Sequence, residues 1–515
     1  MDGAERSAEP WDLFGAPLFD DPKARALSRV GVIDVGSNSV RMVVFDGAAR
    51  SPAYFYNEKI LCGLGAGLSE TGVLNPEGRT RALDAIHRFA IIARSMQVSP
   101  LVAVATAAVR EAVDGDAFVA EVEAVTGLRI QCISGEQEAR FSAQGVLLGW
   151  PQADGLMCDI GGSSMELAEV THGHVGACVS ARLGPLKLAG LPGGRKARLA
   201  EIDATLGAMR EEMSGAYKTL FLVGGSWRAL ARIDMERRAY PLHVLHEYTM
   251  RPQDVRATVQ YIGLQDLEGL RQRTGTSAAR MALVPIAGEV ILRLLHHFKP
   301  SQVAVSSYGI REGLLYEQMP QSLRERDPLI EACRFTEAKD ARQPGFGRTL
   351  YHFILPLFPK VTAARKRLIK AACLLHDVGW RAHPDYRADV GFDRAARSNF
   401  GGLSHAERVF LGLALLHRYR NKRAYEKYDS LAHLLTPEEA EQAEVLGKAM
   451  RFGAMFSALD PTLMATLEWA PKKRQITLGL PAGEGEVLFG EVAQARFASL
   501  ESSLGATSKV RVARS

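Results

Sequence analysis

Two short runs carry the residues best suited to chemistry. One is Gly31-Val-Ile-Asp34-Val-Gly36-Ser37-Asn38-Ser39-Val-Arg41, the other Cys158-Asp159-Ile160-Gly161-Gly162-Ser163-Ser164-Met165-Glu166. Each reads as an apolar strand that ends in an Asp and then turns through Gly and Ser. Glycine permits a tight turn and close approach of backbone N–H groups to a ligand. Successive N–H groups in such a turn form a concave anion cradle. Two cradles about 125 residues apart, each with an Asp at the strand end, point to two half-domains facing each other across a phosphate.

Those cradles need strands and helices to hold them. Residues 29–46 read as strand, tight turn and strand, 63–72 as a Gly-rich loop and 77–96 as a helix. Leu101–Ala105 reads as a buried strand, followed by a loop at 106–110, a helix over 114–126 and a strand over 129–133. A second unit opens near Ser134 with a helix over 135–148 and strands at 156–159, 165–170 and 174–181. A helix over 199–214 then leads to a strand ending in a third glycine turn, Gly224-Gly225-Ser226. Beyond it come a helix over 277–297, a strand over 302–306 and a helix from Gly309. Strands alternating with helices imply an α/β layer architecture. From about 319 onward helical periods dominate. The expected organisation is a loose tail over 1–28 that docks through Trp11 and Phe14, halves at 29–133 and 134–318, and a helical domain over 319–515.

At 515 residues the chain is too long for one core. No apolar run approaches the roughly 18 residues a membrane helix needs, and the polar opening does not read as a secretory signal. The six cysteines show no CxxC and read as reduced, mostly buried thiols. A cytoplasmic location is expected. Net charge is only +5, but basic residues cluster late: Arg365-Lys366-Arg367 with Lys370, then Arg418, Arg420, Lys422 and Arg423, then Lys472-Lys473-Arg474. These are either solvated helix faces or a surface for a polyanion.

The runs at 34–41, 134–139 (Ser-Gly-Glu-Gln-Glu-Ala), 159–166, 224–228 and 307–313 (Ser-Tyr-Gly-Ile-Arg-Glu-Gly) resemble, in order, those of the exopolyphosphatase/guanosine pentaphosphate phosphohydrolase (Ppx/GppA) family. The resemblance covers roughly 30–318. It implies an actin-like ATPase fold, two ribonuclease-H-like halves around a cleft, and hydrolysis of the terminal phosphate of polyphosphate or pppGpp with Mg²⁺ (Mn²⁺ being the alternative). It also implies a homodimer.

The residues suit that chemistry. Phosphoanhydride hydrolysis requires neutralised oxygens and a water aimed in line at phosphorus. The backbone N–H groups of Gly36–Ser39 and Gly161–Ser164, the hydroxyls of Ser37, Ser39, Ser163 and Ser164, and the Asn38 amide supply donors. Arg41 and Arg110 supply planar forks for phosphate, and Gly224-Gly225 forms a third turn. Asp159 is the expected Mg²⁺ ligand, with Glu166 as ligand or supporting group and Asp34 contributing from the other half. The family's catalytic glutamate matches Glu138. Glu136 is the competitor, but side chains two apart on a helix point about 200° apart, and Glu136 suits the helix start. Neighbouring phosphate should raise the Glu138 pKa, as suits a base.

Two positions depart from the family pattern: Ser163 replaces a third glycine, which restricts the backbone there. Trp227 follows the turn that holds a nucleoside in actin-like kinases, where it would obstruct a base or stack on one.

In the last third, Leu374-Leu375-His376-Asp377-Val378-Gly379 resembles the HD-domain phosphohydrolase signature. His352 and Asp460 stand where remaining ligands would fall, although Asp460 reads equally as a helix-boundary residue before Pro461, with His405 and His417 as further imidazoles. This domain is expected either to be a relic that extends a polyphosphate channel or to hold a working metal site. The sequence is thus read as an α/β exopolyphosphatase with a C-terminal all-α, HD-like domain. The alternatives are a pppGpp hydrolase on the same site and a non-catalytic regulator that binds polyphosphate or an alarmone such as ppGpp. Membrane and nucleic acid are not expected partners. A sugar kinase would need a sugar pocket with a catalytic Asp, which is not seen.

Overall fold

The computed structural model describes residues 29–46, 50–213, 215–421, 427–457 and 460–513. The tail with Trp11 and Phe14, and Lys422 and Arg423, lie outside them. The chain divides into two compact units, one over Ala26–Pro328 and the other beginning at Leu329.

The first unit is a duplication. Strands β1 (Arg29–Val35), β2 (Ser39–Asp46), β3 (Tyr54–Leu61), β4 (Leu101–Ala105) and β5 (Ile130–Cys132) form a sheet in the order β3-β2-β1-β4-β5. The central β1 is Val/Ile-rich and almost wholly buried, as a strand covered on both faces must be. It runs antiparallel to β2 and parallel to β4. The second sheet contains β6 (Asp154–Ile160), β7 (Met165–Thr171), β8 (His174–Ala181), β9 (Thr219–Val223), β10 (Tyr248–Met250) and β11 (Gln302–Val305). Its order is β10-β11-β9-β6-β7-β8. Read from β8 to β11, it repeats the first sheet, with β6 antiparallel to β7 and parallel to β9; β10 is an added antiparallel edge.

The two halves share a core in which Val30, Val43 and Val104 of the first pack with Ala143, Met157 and Phe221 of the second. Helix Gly135–Gly149 starts with a reciprocal cap: Gln137 N–H donates to Ser134 Oγ (3.2 Å) and Ser134 N–H to Gln137 Oε1 (2.9 Å). It packs tightly on helix Ile310–Glu317. A Cβ on Gly145 would lie 2.2 Å from the Gly309 carbonyl oxygen, so this approach requires glycine.

Several expectations are corrected. The loop expected at 106–110 is a helix, Ala107–Glu111, and β3 was not anticipated. The first unit runs to Pro328, past the expected boundary at 318. Met319 and Leu323 are buried in the shared core, and buried Arg50 donates to the carbonyls of Arg324 and Arg326 (3.2 and 2.9 Å). The C-terminal domain is not all-α: β12 (Thr466–Ala470), β13 (Gln475–Leu480) and β14 (Thr507–Val512) form a sheet. Short strands joined through the Lys472-Lys473-Arg474 turn escape a reading based on long helical periods. The basic clusters are not one surface. Lys370 and Arg418 are buried, and Arg365 is ion-paired with Glu439 (3.0 Å).

Candidate active site

The duplicated hairpins place equivalent residues in facing positions. Asp34 lies opposite Arg41 in the β1/β2 register, and Asp159 opposite Glu166 in the β6/β7 register. Both turns close alike: Gly36 N–H donates to the Ser39 carbonyl and Gly161 N–H to the Ser164 carbonyl, each at 3.0 Å. These two amides are therefore used within the turns. The N–H groups of Ser37, Asn38, Gly162 and Ser163 donate to no acceptor among the described residues. The turn carbonyls are tied from behind, Asn38 by Cys62 and Gly63 N–H and Ser163 by Gly184 N–H. The tips meet where Ser37 Oγ and Ser163 Oγ lie 3.3 Å apart. Ser163 does not adopt a positive φ, so replacing glycine there costs no backbone strain.

The remaining donors are less uniform. Ser39 opens β2 and is half-buried. Ser164 is buried and its hydroxyl faces Glu166, away from the expected phosphate role. Arg41 Nε donates to Asn57 Oδ1 (2.8 Å) and is held below its usual pKa by burial and by Arg311. Arg110 donates to the Ile133 carbonyl (2.8 Å) and lies 3.4 Å from Glu138 Oε2.

Helix Gly135–Gly149 turns Glu136 to solvent, where it accepts from the Ser134 hydroxyl (2.7 Å). Gln137 rather than Glu136 completes the cap. Glu138 points inward, its side chain 13% exposed. Its pKa is pushed up to about 8, first by burial and then by the Asp159 carboxylate, with Asp34 adding and Arg110 opposing. Phosphate is thus not needed to raise it.

One turn further along, buried Ser142 donates to Asp159 Oδ2 (2.5 Å). Asp159 titrates above the ordinary carboxylate range because it is desolvated. Glu166 is 1% exposed and accepts from Ser180 Oγ (3.1 Å). Burial, then Glu138 and Asp159, push its pKa well up. Two facing carboxylates without a cation repel, and a divalent ion would relieve that repulsion; the oxygen donors suit Mg²⁺, which takes one or two carboxylates plus phosphate and water. Among the described residues no three of His, Cys, Asp and Glu form a ready-made cage. Asp34 is already engaged, paired with Arg311 Nη1 at 2.9 Å.

Arg311, Ser142 and Arg280 were not singled out from the sequence, and Arg228 figured there only as the end of the 224–228 run. Arg311 follows Gly309 within the 307–313 run, and Ser142 lies four residues after Glu138, so both were within reach of the sequence. Gly224 has φ 113°, and a Cβ there would lie 3.0 Å from Asp159 Oδ1, which explains glycine at the third turn. Beside Gly225 stands the Arg280 guanidinium, 2.9 Å from where a Cβ would be. Burial pushes Arg228 down to about 10, with Arg311 adding repulsion. Trp227 is fully buried in the second half's core, facing Cys158. It neither obstructs nor stacks on a ligand, because its side chain points away from the cleft.

A cavity of about 370 Å³ adjoins Ser37 and Ser163, walled by Gly63, the Gly65–Ser69 loop, Leu186 and Lys187. Arg182 crosses it to Glu111 (Nε–Oε2 2.9 Å), tying the halves together.

The expected HD-type set does not converge. His352 is exposed, and Asp460 caps helix Pro461–Met464. Buried His376 holds the Cys373 carbonyl through Nδ1 (2.8 Å). Asp377 is gripped by Arg342 through Nη2 (2.7 Å) and Nε (2.8 Å). A guanidinium therefore neutralises the carboxylate that a metal would need.

Twin ribonuclease-H-like halves with facing Asp-Gly/Ser turns define the actin-like class of phosphoryl-transfer proteins. Residues 43–322, more than half of the chain, match the Ppx/GppA phosphatase family, and residues 340–510 match the exopolyphosphatase C-terminal domain. The chain belongs to the Ppx/GppA phosphatase family and is a hydrolase of phosphoanhydride bonds. Its fold is similar to that of an exopolyphosphatase from Cytophaga hutchinsonii (23% identity, TM-score 0.52, 56% of this chain and 97% of that one). It is also similar to an exopolyphosphatase-like protein (21%, TM-score 0.50, 57% and 99%). The Aquifex aeolicus Ppx/GppA member aligns at 22% identity with a TM-score of 0.49, over 58% and 99%. No helix among the described residues is long and apolar enough to cross a membrane.

Proposed function

We propose that the chain is an exopolyphosphatase releasing terminal orthophosphate from inorganic polyphosphate. The observation that carries this is the charge around Lys59. Its pKa is lowered by partial burial and then by four guanidiniums, those of Arg280, Arg41, Arg311 and Arg228. Of these five cations only Arg311 is paired with a carboxylate among the described residues. Such a concentration of positive charge suits the phosphates of a linear polyanion.

The terminal phosphate would rest on the free N–H groups of the two turns. Glu138, oriented by Arg110, takes a proton from water as the water oxygen bonds to phosphorus and the bridging P–O bond breaks. Asp159 and Glu166 would hold Mg²⁺, which when bound neutralises phosphate charge. Ser142 fixes one Asp159 oxygen and leaves the other free.

A second reading, pppGpp 5′-phosphohydrolase, is favoured by the 370 Å³ cavity, a size that takes small organic ligands. Ionic-strength dependence separates the two. Multivalent binding weakens steeply with salt by counterion release, so KM for long polyphosphate should climb with salt, and less steeply in Lys59→Ala. A KM insensitive to both would contradict the polyphosphate reading.

A further inference from the structure

Each hydrolysis of a phosphate chain leaves two anions in the cleft, orthophosphate and the shortened chain. The chain lies across the path by which it entered. A second opening onto the terminal-phosphate position would let orthophosphate leave first. The cavity of about 370 Å³ beside Ser37 and Ser163 is placed for this. It touches the phosphate turns at Ser37, Asn38 and Ser163. Among the described residues its lining includes neither Lys59 and its four guanidiniums nor Glu138, Asp159 or Glu166. The cavity and the cation cluster therefore share no residue.

The cavity's two walls belong to different halves, and each is tied to its own turn. On one side Gly65 N–H donates to the Ser37 carbonyl (2.8 Å). On the other, Gly184 N–H donates to the Ser163 carbonyl (3.0 Å) and Leu186 N–H to the Gly162 carbonyl (2.8 Å). A Cβ on Gly184 would lie 2.2 Å from that Gly162 oxygen, so this segment lies directly on the turn. Lys187 Nζ donates to the Arg182 carbonyl (2.8 Å), closing the segment on itself. Two polar side-chain contacts cross from wall to wall. Ser37 Oγ lies 3.3 Å from Ser163 Oγ, and Arg182 Nε donates to Glu111 Oε2 at 2.9 Å. The Arg182 side chain is 62% exposed. An ion pair so open to water is worth little and parts readily. The guanidinium is then free to receive an oxyanion at the cavity wall.

We propose that this cavity is the exit for product orthophosphate, gated by the Arg182–Glu111 ion pair. The ion leaves the turn N–H groups between Ser37 and Ser163 and passes the freed guanidinium to solvent, while the chain stays on the cations. The inference rests on the polyphosphate reading; under the pppGpp reading a nucleoside would fill the same space.

The test compares orthophosphate cleaved with orthophosphate set free, over the first turnovers of the full-length protein with Mg²⁺ and long-chain polyphosphate. Acid-quenched samples report all that is cleaved, and a fluorescent phosphate-binding protein reports only the free ion. Ala66→Trp and Ser69→Trp, at exposed positions of the wall, fill the exit without touching the catalytic groups. Each should give a burst of cleaved orthophosphate equal to the enzyme sites, with the free ion lagging behind it. Adding Arg182→Met to Ala66→Trp opens the gate and should shorten that lag by up to about fivefold, the factor an exposed ion pair is worth. Free and cleaved orthophosphate rising in step in both tryptophan variants, or a lag unchanged by Arg182→Met, overturns the inference and leaves the polyphosphate reading intact. Loss of the burst itself in both tryptophan variants also overturns it, because the first cleavage does not need the exit. No orthophosphate cleaved from polyphosphate by the parent overturns that reading, and the inference with it.

Discussion

Ser37 Oγ and Ser163 Oγ, 126 positions apart in the chain, lie 3.3 Å from each other at the tips of the two duplicated turns. The contact joins the halves where the terminal phosphate would sit. Ser163→Gly keeps the N–H donor and loses the hydroxyl. A hydrogen bond of this kind contributes about 0.5–1.5 kcal/mol, so KM for polyphosphate should rise roughly two- to tenfold. Initial-rate measurements of orthophosphate release check this.

Glu138→Gln should lower kcat by about 10²- to 10⁴-fold. In the parent, the base form of Glu138 appears only as pH rises through about 8. The rate should therefore climb with pH across that range, and saturating Mg²⁺ should move the rise to lower pH by neutralising Asp159. A profile already flat at pH 6 without excess metal would contradict the assignment.

The same shift has a stability consequence. The folded state holds the Glu138 proton up to about 8, whereas an unfolded glutamate releases it near 4.3. Between those values the folded state binds more protons, so this group's contribution falls as pH rises. Glu138→Gln should therefore gain stability over the parent from pH 5 to pH 9, as chemical denaturation at the two pH values would show.

Asp159→Asn and Glu166→Gln should raise the Mg²⁺ concentration needed for half-maximal rate. Asp34→Asn should affect it less, because Asp34 is paired with Arg311 at 2.9 Å. Metal titration of the three variants compares them directly.

Trp227→Ala should destabilise the protein by about 3–5 kcal/mol, as for large core aromatics, while leaving the ratio of polyphosphate to pppGpp hydrolysis unchanged. Denaturant unfolding and paired substrate assays measure the two effects.

The legible part of the fold came from local chemistry. The Asp34–Ser39 and Asp159–Ser164 turns announce themselves because strand, carboxylate and glycine fall within a few residues. Gly135–Gly149 is legible as a helix opened by the Ser134-Gly135 turn, with Glu138 facing inward, but its cap is made by Gln137 rather than the expected Glu136. What was hidden depends on distant chain segments. Arg311 acts by reaching Asp34, 277 positions away, and Trp227 looks like a site residue until the direction of its side chain is known. The C-terminal sheet was missed because its strands carry charged and polar residues such as Glu468, Gln475, Lys509 and Arg511, whereas equally short strands such as Leu101–Ala105 are continuous apolar runs. His376-Asp377 resembled a metal motif, and only the position of Arg342 shows that the carboxylate is already neutralised.

The most direct test of the central claim is orthophosphate release by the full-length protein with Mg²⁺, from long-chain polyphosphate and from pppGpp, with Glu138→Gln in parallel. The account predicts a higher kcat/KM on polyphosphate and collapse of both activities in the variant. Preference for pppGpp, or undiminished release by Glu138→Gln, would contradict it.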